Sequence, residues 1–444
     1  MRPGGDRRAA ARLGARWAPL LPALVPALLL GPSGAGEAGR GPTGPPVTAS
    51  RAIPRSMEPC AKCHSSAVDA YLGHGMSRSL GPAGAVTAGT VVNPSSGTRY
   101  EIAADRDGAW LTATLADGGV RRQRVVGRIG AGIFDTSWVG AEAGPAGEVT
   151  GRLFFAPVET VSGRGLELAP FELHPGSAVG LDLALTERCL TCHTTDSPGR
   201  LPGAAAAAGR SGADSPFPPN HLGADAFDHL SPLACGACHG EAQGHPDIVA
   251  GRRVAPPGEI GVARLGRLPP GVQRDVCARC HLQGDVRVDL VGGSPRRGPP
   301  LAGQIPVLVP RRATPDFRFV GQLERLALSA CFKGAPAMTC TTCHRPHLSV
   351  AAQGAPSFDA ACSACHPVAA RHTSLTVREV TGRAARTATG CVDCHLRRSQ
   401  PFDLPHVRTV DHFVQRRILP PRDDVPHRQF ADDEGDLALF DDGR

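Results

Sequence analysis

Cys60-Ala61-Lys62-Cys63-His64 is the stretch on which the reading of this chain turns. The same Cys-x-x-Cys-His pentapeptide returns at 189–193, 235–239, 277–281, 340–344, 362–366 and 391–395. The seven copies take all but one of the 15 cysteines, leaving Cys331 over. The paired thiols are Cys60 and Cys63, Cys189 and Cys192, Cys235 and Cys238, Cys277 and Cys280, Cys340 and Cys343, Cys362 and Cys365, and Cys391 and Cys394. This pentapeptide is the attachment signature of c-type haem, in which two thiols bond the vinyl groups and the adjoining histidine reaches the iron. The expected cofactor is therefore heme c, seven per chain and covalently attached. Its proximal ligands would be His64, His193, His239, His281, His344, His366 and His395. Zinc knuckles and redox dithiols also use Cys-x-x-Cys, but neither needs a histidine directly after the second cysteine in every copy.

Composition fits a chain wrapped around cofactors. Aromatic residues are only 4% of the 444, against 54 glycines and 42 prolines, so apolar bulk is expected from porphyrin faces and much of the chain is expected as loop. Without haem the chain is expected to be largely unfolded. The formal charge of +7 does not point to nucleic acid. The first 35 residues hold Arg2, Arg7, Arg8, Arg12 and Arg16 against Asp6, which leaves about +3 for the rest. Seven haems, each bringing roughly −1 or −2 through ionised propionates, would make the loaded protein acidic.

Residues 1–35 read as a secretory signal: the arginines, an apolar run from Trp17 to Leu30, and small residues at Ser33-Gly34-Ala35. The apolar run is short for a membrane span, although an uncleaved anchor, or a partner, would leave the protein membrane-associated. The expected location is periplasmic or otherwise exported, in a bacterium. The first haem segment is placed at 36–84. Between Cys63 and Cys189 there is no cysteine, and alternating runs at Arg99–Ala103, Trp110–Thr114, Val120–Ile129 and 151–161, with turns at Asp107-Gly108 and Asp117-Gly118-Gly119, predict a small antiparallel β-rich insert over 85–175. A six-haem domain is assigned to 176–416, with a low-complexity loop at 199–219 and its best helix from Asp316 to Phe332. Residues 417–444 are acidic and are expected to be a disordered tail. The predicted fold class is mainly α and irregular: a multihaem cytochrome c fold wrapped around seven haems, with the β insert between the first two.

Each haem iron has a sixth position, closed by His or Met in an electron carrier and open in a site that binds substrate. Ten histidines lie outside the motifs, together with Met57, Met76 and Met338. The segments 60–79, 235–245, 329–332, 340–347 and 406–416 resemble bacterial multihaem cytochromes of the cytochrome c-554/hydroxylamine-oxidoreductase type. The likeness is closer to exported multihaem proteins that often carry C-terminal tetratricopeptide repeats, which are absent here. It covers about 60–80 and 185–416. The resemblance implies distal ligands at His245 and His347, each to a neighbouring haem, at His406 and His412 from the terminal motif, and at His372. In the first haem's segment Met76 falls in the family's ligand slot and His74 two residues before it, so both stand as candidates. His174, His221 or His229 would be left for the seventh iron, or that iron would have no distal ligand. Cys331 matches a family cysteine without an assigned role.

Three functions follow as expectations. The first is an electron carrier that works between redox partner proteins. The second is an oxidoreductase acting on a small nitrogen or sulfur compound at one five-coordinate haem. The third is a docking subunit resting on the β insert and tail. No Cys-x-x-Cys-Lys occurs, and Tyr71 and Tyr100 are the only tyrosines available for a haem crosslink. A pyridine haemochrome assay on the exported protein should return seven haems per chain; a count far below that would overturn the motif reading.

Overall fold

The computed structural model describes residues 52–143, 149–173, 180–195, 230–240, 244–252, 254, 264–288, 290, 300–366, 390–417, 419–428 and 435–443, all within one compact unit, 42–444. The signal segment, the low-complexity loop and His174, His221, His229 and His372 lie outside the described residues.

The first motif opens the helix Glu58–Leu72, started by a proline in its first turn and an acidic side chain, Glu58, at its N-terminal end. Val68, Tyr71 and Leu72, spaced for one helical face, are its buried residues. His64 departs from helical geometry at φ −122°, ψ 39°, so the motif histidine sits at a kink. Motif cysteines three residues apart share one side of a helical turn. Such turns carry the third motif (Cys235–His239), the fourth (the end of Pro270–His281) and the seventh (Cys391–His395).

The largest element is an antiparallel sheet of eight strands: β1 (Leu80–Pro82), β2 (Gly89–Val92), β3 (Arg99–Asp105), β4 (Gly108–Thr114), β5 (Val120–Ile129), β6 (Asp135–Ala143), β7 (Val149–Val161) and β8 (Gly165–Leu168). Strands β2 to β8 pair in sequence order, and β1 pairs with β5. The two ends nearly meet: a Cβ on Gly89 of β2 would lie 3.4 Å from the Leu166 side chain of β8. Strict alternation in β3 and β4 buries Tyr100, Ile102, Leu111 and Ala113 with Val125, Trp138, Ala156 and Val158. Each large side chain so buried contributes about 1.5–3 kcal/mol. A second cluster packs Leu80, Ile129, Val139, Ala141 and Leu153 of the sheet against Leu185, Leu190 and Leu230. Leu190 lies inside the second motif, so the sheet seats that motif directly.

The fold is therefore mixed, with a nearly closed sheet as its largest element, and the expectation of a mainly α protein is overturned. The physical reason lies in β6 and β8, whose sequences carry too many small or polar residues to advertise strands, yet which complete the ladder on either side of β7. The helix expected from Asp316 to Phe332 is two short helices, Gln322–Ala327 and Ala330–Lys333. Ser329 breaks it, with extended backbone at ψ 137° and an Oγ that accepts the Val414 N–H at 2.9 Å.

The described part of the expected tail pairs with the rest of the chain. The strands β9 (Val286–Arg287), β10 (Val307–Pro310), β11 (Arg398–Ser399), β12 (Thr409–Val410) and β13 (Leu437–Leu439) form two small sheets, in one of which β13 pairs with β10. Asp442 meets the buried Arg274 of the fourth-motif helix at 2.8 Å. Removing one partner of such a buried pair leaves the other charge uncompensated, at a cost of about 3–5 kcal/mol. Asp442→Asn should lower the unfolding free energy by that order and the denaturation midpoint with it; an unchanged midpoint would show that the tail does not contribute to stability.

Candidate functional site

Three near-parallel imidazole pairs unite a motif histidine with one outside its own motif. His64 faces His245 with centroids 6.5 Å apart and planes 24° from parallel. His239 faces His347 at 5.9 Å and 28°. His344 faces His412 at 6.1 Å and 26°. Metal–imidazole bonds are about 2 Å long and the ring centre lies about 1 Å beyond the nitrogen, so two imidazoles turned nitrogen-first toward one iron would have centroids about 6 Å apart, the separation of these pairs. The donor set and its spacing fit an iron carried by a macrocycle, which needs only two protein ligands. Among the described residues no group of three or more His, Cys, Asp or Glu side chains is arranged to hold a bare metal ion.

The ring nitrogens are ordered for the same chemistry. Nδ1 lies against a backbone carbonyl in His193 (Ser79, 3.3 Å), His395 (Gln415, 2.8 Å) and His412 (Val410, 3.2 Å). In His281 it lies 3.0 Å from Oε1 of Gln322. An oxygen that only accepts forces Nδ1 to carry the proton and leaves the lone pair on Nε2. Desolvation depresses the imidazoles of His193, His281, His344 and His347, and pushes His412 down to about 4, which keeps them neutral as metal binding requires.

The motifs also touch one another. Thiols of different motifs lie close enough to perturb one another: Cys60 and Cys235, Cys192 and Cys280, Cys277 and Cys340, and Cys362 and Cys391. These contacts join the first motif to the third, the second to the fourth, the fourth to the fifth and the sixth to the seventh. His347, three residues past His344, links the third to the fifth through its pairing with His239. Cys343 senses Cys365 across the fifth and sixth. All seven motifs thus form one connected set, and a cleft of about 380 Å³ beside the fifth is lined by His344, Arg345, Pro346, His347 and Leu348.

The other expected residues fall elsewhere. Met76 packs against the cluster of Met57, Val68, Tyr71, Leu72 and Ala234, and it is His245 that faces His64. His74 Nδ1 accepts the Met76 N–H at 3.0 Å, which places its proton on Nε2, and desolvation lowers this imidazole to about 4. His406 has no nitrogen left for a metal: Nδ1 lies 2.6 Å from Glu167 and Nε2 3.0 Å from the Leu168 carbonyl. Tyr100 donates to Glu172 at 3.0 Å inside the sheet, and Tyr71 donates to the Leu233 carbonyl at 3.0 Å. Cys331 lies within electrostatic reach of Cys343 and Cys362. Sequence reasoning missed Gln322, whose role no local pattern signals, and His427, whose Nδ1 lies 3.1 Å from the Phe402 carbonyl.

Buried arginines line the C-terminal motif region. Arg325 grips the fully buried Asp411 with two bonds of 2.9 and 2.7 Å, and Arg397 adds a third contact at 3.5 Å. Arg422 and Arg428 share Asp316. Nε of Arg397 and of Arg428 are buried without a hydrogen-bond partner, a donor excess that propionate carboxylates suit.

No protein-family model, no curated protein and no solved structure matches the chain.

His406 closes an acidic cluster on the sheet. Glu159 and Glu167 are direct cross-strand partners in β7 and β8, an unfavourable like-charge placement if both ionise. Burial pushes Glu159 up from 4.5 to about 9, with Asp135 and Glu167 adding to it. Burial also raises Asp135 to about 6. A carboxyl that holds its proton more tightly when folded stabilises the fold less as pH rises. Stability should therefore fall between about pH 4.5 and 9, and Glu159→Gln should flatten that slope in denaturation curves taken across the window. Equal slopes for both proteins would refute the assignment.

Proposed function

We propose that the chain is an exported c-type cytochrome that holds seven haems and passes electrons between redox partner proteins. The observation that carries this reading is the set of three imidazole pairs at 5.9 to 6.5 Å, each built from a motif histidine and a histidine expected as a distal ligand. The haems, when bound, would supply one-electron iron couples tuned by axial ligand and burial. The paired motif cysteines would attach them, and the motif histidines would hold the irons from one side. His245, His347 and His412 would close the other side of the first, third and fifth, and so keep substrates off those irons. The motif contacts support transfer along the set, because each motif touches at least one other. The solvent-exposed His64 and His366 put the first and sixth motifs where a partner protein can approach. The net positive charge of the bare chain does not point to nucleic acid once propionates are counted.

One observation favours the enzyme reading for a single iron. His74 presents an N–H and not a lone pair, the form of a distal hydrogen-bond donor, and it lies within electrostatic reach of His281, His344 and His347. Carbon monoxide separates the two. Dithionite-reduced protein should bind little CO, and the oxidised protein should show low-spin ferric signals. His245→Ala, His347→Ala and His412→Ala should each open one iron and add one CO-binding haem. Strong CO binding by the unmodified protein, with a high-spin ferric signal, would replace the carrier by an oxidoreductase.

A further inference from the structure

The short helix Gln322–Ala327 touches one imidazole, His281, through Gln322 and the residue before another, His412, through Arg325. Gln322 donates from Nε2 to the Phe319 carbonyl at 2.8 Å, which turns its Oε1 toward His281. That oxygen then accepts the His281 Nδ1–H at 3.0 Å. The amide orientation, and with it the imidazole tautomer, is set by Phe319 and not by the histidine's own loop. Glu324 accepts the N–H groups of Gln283 and Gly284 at 3.1 and 2.9 Å and so fixes the turn that leaves His281. Gly284 sits at φ +55°, where a Cβ would collide with the Leu308 carbonyl oxygen, so that turn admits only glycine.

One turn on, Arg325 clamps Asp411 at 2.9 and 2.7 Å. Asp411 precedes His412 and also accepts the Phe413 N–H at 3.0 Å. Both neighbours of His412 are therefore held, while its own Nδ1–H reaches Val410. The His412 ring faces His344.

We propose that this helix is a shared positioning element for two irons. Gln322 sets the orientation and donor strength of His281, and Arg325, acting through Asp411, sets the plane of His412. Both are positioning residues. The inference rests on the haem reading. An acceptor on Nδ1–H strengthens the imidazole as a ligand and favours the ferric state, so a stronger acceptor lowers the potential and its loss raises it.

The test uses full-length, haem-loaded protein, with haemochrome counting, a spectropotentiometric titration and EPR. Gln322→Glu should keep seven haems and move one midpoint to lower potential. Gln322→Leu, which has no acceptor, should move the same midpoint upward. Arg325→Lys keeps the charge but loses the two-pronged contact, and it should change the shape of one low-spin EPR signal without moving the midpoint that Gln322 controls. Seven haems with unshifted midpoints in both Gln322 variants would overturn this inference and leave the haem reading standing. An unmodified protein without haem would overturn both.

Discussion

The facing of imidazoles across about 6 Å is the constraint on which the described motif region depends. Each pair joins segments far apart in sequence: the first helix to the stretch after the third motif, the third motif to the fifth, and the fifth to the C-terminal segment. Regular structure there is short, and the apolar cluster of Ala278, Leu282, Leu301, Ile305, Val307, Leu323 and Phe332 is small for the length of chain it serves. Hydrogen bonds to Nδ1 orient the rings of His193, His281, His395 and His412, and the Arg325–Asp411 ion pair holds the residue before His412.

The sheet supplies the rigid side of this arrangement. Ser79, just before β1, accepts from His193 Nδ1 through its carbonyl, donates from Oγ to the His193 carbonyl at 2.6 Å, and accepts the Leu233 N–H at 3.1 Å. Tyr71 adds a bond to Leu233 from the first helix. One strand edge thereby holds the second motif and the approach to the third against the first. A sheet whose interior is filled by Tyr100, Trp138 and aliphatic side chains has no cavity role to play in that cluster. Its contribution is to keep the ends of distant motif segments still.

Part of the fold was legible. The hairpins read well because Asp107-Gly108 and Asp117-Gly118 punctuate strict alternation. What was missed shares a physical cause: it depends on partners remote in sequence. β6 holds its place by pairing with β5 and β7, not by its own pattern. Ser329 breaks a good helical period to meet Val414. The acidic C-terminal segment looks unstructured until Asp442 finds Arg274. His406 and His412 belong to one motif, yet Glu167 and Leu168 of the sheet take both nitrogens of the first, and only the second faces a motif ring. Local sequence ranks ligand candidates by type; competing acceptors decide among them.

Electrostatics carries the argument one step further. Around Asp316 and Asp411 the described residues gather Arg325, Arg397, Arg422 and Arg428, two cations for each carboxylate. Burial of unmatched guanidinium groups is costly, and desolvation already lowers the pKa of Arg397. Further anions would favour such a cluster, and the proposed haems would bring carboxylates to the segment that carries His395 and His412. On this view the arginines are matched to a loaded protein and not to the bare chain. Folding and cofactor attachment would then be one thermodynamic event, since each haem would add two thioether bonds, its axial contacts and the missing negative charge together.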